Sequence, residues 1–293
     1  MNLITGRPAD PTVQTIVLDL RLPRILLAIG AGAGLAAAGV AWQGVLRNPL
    51  ADPYLIGVSA GGALGAGIAM AFELRGPGGT SLVPSMAFAG SLGAIALVYI
   101  IGGGTGRLRL ERLLLAGVAL TSFLSAILTV LLTLKAEKIP PMHFWLMGSV
   151  APPRGWPDLF RELPYLGIGL LALFALSGPL NVLQLGTDRA RSLGVNPKRT
   201  EFILIGAASL VTAAVVSTCG MIGFVGLVVP HLARLLVGSD LRLALPTAAL
   251  AGASLLVLAD LVARLCGEIP VGVVTAFLGA PFFLALLLKE TAR

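Results

Sequence analysis

The chain has 293 residues, 56% of them hydrophobic and 12% charged, with 37 glycines and a formal net charge of +7. A soluble domain carries roughly a quarter charged residues, and a mean hydropathy of +0.93 excludes one here. The basic excess is scattered between apolar stretches and nowhere gathered with interleaved aromatics, which excludes a nucleic-acid partner.

The N-terminal stretch MNLITGRPADPTVQ has neither the basic region nor the adjoining apolar core of a signal peptide. Residues 1–20 are therefore expected to be an extracytoplasmic tail, and residues 21–293 a single transmembrane domain. Apolar runs bounded by polar turns predict nine spans, at about 25–46, 55–72, 83–103, 113–134, 163–181, 201–219, 222–237, 244–265 and 272–288. The fold class expected is an all-α polytopic helical bundle. The seventh run is short and broken by Pro230. Residues 139–160 hold too many prolines to cross a bilayer, and Trp145 and Trp156 suit a short helix at the interface. The first two spans are joined by Arg47, Asn48, Pro49, Leu50, Ala51, Asp52 and Pro53, a polar turn with two prolines that reads as a membrane re-entry.

Positive charge sets the orientation. Loops carrying Arg47, Arg107, Arg109, Arg189, Arg191, Lys198, Arg234 and Arg242 are the more basic side and are expected to be cytoplasmic. The C-terminus then lies inside and the N-terminus outside. Gly57, Gly61 and Gly65 recur every fourth residue and predict a smooth ridge for helix packing, as do Gly30 and Gly34 on the first span.

Several motifs have a chemical and a bland reading. The run GVSAG at residues 57–61 fits the G-x-S-x-G of a serine hydrolase, but it opens an apolar helix instead of a strand-to-helix elbow. An intramembrane serine hydrolase is therefore a remote alternative. No P-loop occurs; residues 102–106 (GGGTG) lack its lysine, so work driven by ATP needs a separate chain. Thr187, Asp188, Arg189, Ala190, Arg191, Ser192, Leu193 and Gly194 predict a short amphipathic helix, capped by Thr187 or Asp188 and ended by Gly194. Such a helix either decorates a basic loop or docks on a cytoplasmic partner. At the outer ends, Arg21 and Arg24 open the first span and Arg264 lies one turn after Asp260. The bland reading is an Asp260–Arg264 pair at i, i+4; the sharper one is a basic mouth for an acidic partner. His231 follows Pro230 and is expected to bond backbone carbonyls freed by the proline. Cys219 and Cys266 are expected to be two free thiols, and no metal-ligand spacing occurs. Asp260 is the one ionisable residue that comes close to the bilayer interior, which argues against an ion-coupled secondary transporter.

In chain order, residues 21–24 (RLPR), Gln43 with 47–53 (RNPLADP), 55–59 (LIGVS), 113–120 (LLLAGVAL), 144–149 (FWLMGS), 190–195 (ARSLGV), 223–231 (GFVGLVVPH), 259–264 (ADLVAR) and 270–281 (PVGVVTAFLGAP) resemble the FecCD-type permeases. These are the membrane subunits of ABC importers for iron-siderophores, haem and cobalamin. The resemblance implies a ten-helix subunit of a homodimer around one central pathway, in the bacterial cytoplasmic (inner) membrane. It implies coupling to an ATPase through Thr187 to Gly194, and docking of a substrate-binding protein at Arg21, Arg24 and Arg264. Asn48, Pro49, Asp52, Pro53, Pro230 and His231 are its motif turns. A metal chelate is the implied substrate, and the pathway is expected along the span that begins near Leu113. The chain itself is expected to bind no cofactor and to be no enzyme, ATP and Mg belonging to the partner ATPase. The family's first helix has no counterpart ahead of Arg21, so nine spans stand where ten are expected.

Overall fold

The computed structural model describes residues 11–103, 110–151 and 154–291. Arg107, Arg109 and residues 104–106 of the glycine run lie outside the described residues, as do residues 1–10 of the expected tail. Among the described residues the chain is helical, apart from a single bridge between Arg75 and Ser81.

The order is α1 (Pro11–Thr15), α2 (Leu22–Leu46), α3 (Val58–Ala71), α4 (Val83–Ile101), α5 (Leu110–Leu134), α6 (Ile139–Leu146), α7 (Trp156–Ala175), α8 (Ser177–Gln184), α9 (Thr187–Ser192), α10 (Pro197–Cys219), α11 (Val225–Val237), α12 (Leu241–Leu265) and α13 (Val271–Thr291). Each of the nine expected spans has its helix, but three boundaries move. Residues 11–20, expected as tail, are helical and run through a π-helical stretch, Ile16–Arg21, into α2. The short helix expected over residues 139–160 ends at Leu146, and Trp156 opens α7 instead. Its indole N–H donates to Leu18 O at 3.0 Å, so this tryptophan ties two helices together. The fifth span bends by 50° between α7 and α8.

α2 is the hub. Leu27, Leu35 and Trp42 are fully buried, and the helix packs on α12, α10, α11 and α7. Glycine makes these crossings close. A Cβ on Gly32 would lie 2.2 Å from Gly252 O, and one on Gly252 would lie 2.3 Å from Gly32 O. Gly61 and Gly65 press α3 onto α4 in the same way, against Gly90 O and Met86 O. Gly57 is no part of that ridge: it is a left-handed residue (φ 87°) before the helix begins, where a Cβ would be strained. Gly30 and Gly34 meet side chains of Leu166 and Val211, not backbone.

The outer surface is apolar. Leu115, Leu134, Leu171, Leu236, Leu265 and Phe277 are all exposed, which water would penalise and lipid or a second subunit would not. α3 and α11 have 14 and 13 residues, about 20 Å each, against a hydrocarbon core of roughly 30 Å. Each is preceded by a non-helical elbow, residues 47–57 and 220–224. Backbone at that depth must find partners inside the protein. The two elbows supply them to each other.

Candidate functional site

The elbow after α2 is built by its own side chains. Arg47 takes the left-handed conformation (φ 48°) that ends α2. Asn48 Oδ1 accepts Leu50 N–H at 2.9 Å, and Asp52 Oδ1 accepts Tyr54 N–H at 2.8 Å, capping the 3-10 turn Pro53–Ile56. Pro49 and Pro53 lack the N–H groups that a continued helix would need. The Tyr54 hydroxyl then accepts Ile222 N–H at 2.9 Å, crossing to the second elbow.

The second elbow leads into α11 and its internal Pro230. Proline has no N–H for the carbonyl four residues back, Gly226 O. That carbonyl faces Gly39, where a Cβ would lie 1.9 Å from it. Gln43 Nε2 donates to Leu227 O at 3.2 Å, and Arg234 donates to Gln43 Oε1. Gln43 thus reaches the carbonyl next to the one that Pro230 frees, and the His231 ring meets Phe282 edge-on at 6.3 Å. Phe224, a bulky residue, is left-handed (φ 68°) at the start of α11, a conformation that carries strain.

Between the elbows lies a cavity of about 500 Å³, lined by Asp52, Tyr54, Ser59, Met147, Met221 and Phe224 among others. It is mostly apolar, with one carboxyl and two hydroxyls at one side. Ser59 Oγ donates to Tyr54 O at 3.3 Å. The G-x-S-x-G serine sits in the first turn of a helix, without the strand that a hydrolase elbow requires.

Among the described residues the outer arginines part company. Arg24 is paired: its Nη2 lies 2.9 Å from Asp260 Oδ1, and its Nη1 2.8 Å from Glu268 Oε2. Arg264 Nε also approaches Asp260, at 3.3 Å from Oδ2. The i, i+4 pair therefore exists, but Arg24 holds the better geometry on the same buried carboxylate. Arg21, one turn before Arg24, is exposed.

The predicted short helix is α9, and its caps differ from the expectation. Gly186 (φ 111°), not Thr187 or Asp188, is the N-cap residue, with no side-chain cap. At the other end Gly194 is left-handed, its N–H donates to Arg191 O, and Val195 N–H donates to Ala190 O. This is a Schellman ending. Ala190 is buried beneath the helix, while Leu185 and Leu193 are exposed on either side of it. Asp188 and Arg191 face solvent 3.7 Å apart, and Arg189 and Ser192 are exposed as well.

Glu162 falls just outside the apolar run that predicts the fifth span from residue 163. Glu162 lies within α7 and is 1% exposed. Thr218 and Cys219 of α10 lie alongside, yet neither carboxyl oxygen has a partner of hydrogen-bond geometry among the described residues. Asp260 is therefore not alone among ionisable groups in the bundle. An acid six residues into the helix is legible when α7 is started at the Gly155-Trp156-Pro157 signal, proline being favoured in a first helical turn. Cys219 is buried, Cys266 exposed, and both are free thiols.

The model of the FecCD transport family matches residues 1–289. The cobalamin import system permease of Halobacterium salinarum is 45% identical over 96% of this chain and 76% of its own length. The hemin transport system permease of Yersinia pestis is 40% identical over 94% of this chain and 84% of its own. A solved structure described as an inward-facing conformation of a putative metal-chelate type ABC transporter superposes with a TM-score of 0.87 at 37% identity. That superposition covers 97% of this chain and 91% of the other.

Proposed function

Because the chain belongs to the FecCD transport family, we propose that it is the membrane subunit of an ABC importer that takes up a metal chelate. The relatives named for cobalamin, hemin and iron chelatin support a metal chelate, such as a cobalamin, a haem or a ferric siderophore, as the substrate class. Two copies form the pathway, an ATPase on the basic side supplies the work, and a substrate-binding protein delivers the chelate at the opposite mouth.

The observation that carries this reading is α9. A six-residue helix held by one buried alanine, with exposed leucines before and after it, has too little surface of its own to be a folding element. It suits a seat for a partner that pushes on the bundle. The exposed charges of Asp188, Arg189 and Arg191 ring the contact. ATP and Mg belong to that partner, and no residue here is asked to break a bond.

α5 is the best candidate for the pathway wall. It is among the least buried of the long helices. The hydroxyls of Ser122, Thr129 and Thr133 on its exposed face donate to carbonyls one turn back. A wall whose polar groups are already satisfied holds a chelate weakly and lets it leave. Rigid tilting of the two subunits, transmitted through α9, would open the wall to one side at a time.

The test is reconstitution in liposomes with the ATPase and binding protein of the same system, followed by uptake of radiolabelled ferric siderophore, haem and cobalamin. ATP-dependent uptake of one of them, lost on charge reversal at Arg21, supports the proposal. Uptake driven by an ion gradient with no ATPase present would overturn it.

A further inference from the structure

Two arginines meet at the junction of α2, α8 and α11, and the acid that acts on one of them, Glu201 on Arg47, forms no ion pair with it among the described residues. A pocket of about 290 Å³ is lined by Gln43, Arg47, Asn48, Gln184, Arg234 and Ser239 together with Pro49. None of its walls is a carboxylate. Among the described residues, no ion pair takes Arg47 or Arg234. The neighbouring Asp240 is committed elsewhere, to Asn181 Nδ2 and Arg242 N–H.

Each guanidinium group is anchored by a hydrogen bond to the protein. Arg47 Nη2 donates to Leu183 O at 2.7 Å, and Arg234 Nη2 donates to Gln43 Oε1. Gln43 is itself 4% exposed and anchored on Leu227 O, so it cannot swing away with Arg234. A guanidinium carries about five N–H donors, and these bonds use one from each. The C-terminal ends of α2, α8 and α11 explain why cations are tolerated here, each contributing about half a negative charge. Those dipoles do not fill the pocket or accept the remaining donors. Two partly fixed forks with amide and hydroxyl neighbours form a receptor for a tetrahedral oxyanion, since arginine pairs with phosphate through parallel N–H···O bonds.

We propose that this pocket binds a phosphate group through Arg47 and Arg234. The group is either the headgroup of an anionic phospholipid or a free phosphate; both present the same oxygens. The site is distinct from the elbow cavity and from α9, and it does not depend on the transport reading.

The full-length protein would be purified and its thermal unfolding followed under two titrations, inorganic phosphate in detergent and phosphatidylglycerol in phosphatidylcholine nanodiscs. The expected result is a saturable rise in the unfolding midpoint in at least one titration, with the apparent dissociation constant about tenfold weaker in Arg234→Gln and in Arg47→Gln. Lys198→Gln, an exposed change outside the pocket, should titrate like the parent. A response to phosphatidylglycerol alone identifies a lipid headgroup, and a response to inorganic phosphate identifies a free ligand; both support the site. Should Arg234→Gln unfold on purification, Arg47→Gln decides, because its protein contact is a single backbone carbonyl. No saturable response, an equal rise with sodium chloride at matched ionic strength, or an equal loss in Lys198→Gln overturns the proposal.

Discussion

Arg24 and Asp260 stand 236 positions apart and form a fork across the α2–α12 crossing, with Nε 3.0 Å and Nη2 2.9 Å from Oδ1. The Asp260 side chain is 3% exposed, whereas Glu268, the second acid on Arg24, is 64% exposed. Removing one partner of a buried pair leaves an uncompensated charge, so Asp260→Ala should cost about 3–5 kcal/mol. Glu268→Gln should cost less than about 1 kcal/mol, as exposed pairs do. Chemical or thermal unfolding of the purified variants measures both.

The same fork separates the two leading arginines by role. Arg21→Glu should weaken binding-protein affinity while leaving the unfolding midpoint in place. Arg24→Glu should lower both, because it sets two acids against Asp260. Equal midpoints for the two variants would show that the fork contributes nothing to stability.

Gly32 and Gly252 should tolerate no side chain. Alanine at either would place Cβ within 2.3 Å of the other glycine's carbonyl oxygen, and the two helices would have to separate. Overpacking costs about 1–3 kcal/mol where side chains can yield; here backbone must move, so the upper part of that range is expected. Gly167→Ala is the control, since nothing lies within 4 Å of its added Cβ. Unfolding midpoints of the three variants check the ranking.

Glu162 should be dispensable for stability. A buried carboxyl with no cation beside it and only the Thr218 hydroxyl alongside is a desolvation cost. Glu162→Gln and Glu162→Met are therefore expected to unfold at the same temperature as the parent or above it, by about 1 kcal/mol. A lower midpoint in both would mean that the carboxylate has a partner which these substitutions break. ATP-dependent uptake by the glutamine variant, measured across pH, tells a structural acid from a proton-handling one.

What the sequence determined by itself was what hydropathy and local chemistry can encode. Runs poor in charge located a helix for each of the nine expected spans, because desolvation of a charged group is costly along a membrane helix. Five of those helices, or six counting the bent α7–α8 pair as one, are long and apolar enough to cross among the described residues. The Asn48–Pro49 and Asp52–Pro53 turns were legible, since asparagine, aspartate and proline act on neighbouring backbone. Gly194 was legible as a helix stop for the same reason, and the order of the motifs was enough to indicate the family. Tertiary structure alone decided which groups meet. Asp260 satisfied its i, i+4 partner Arg264 only in second place, because a residue 236 positions away reached it with better geometry. Gln43 met Leu227 O, since the crossing of α2 over α11 set its reach. Gly32 and Gly39 proved to be the close contacts on α2, while the paired Gly30 and Gly34 faced side chains; periodicity names a face but not the neighbour it will find. Glu162 was hidden for a similar reason: whether an acid near a helix start lies in water or among packed helices depends on where the other helices stand.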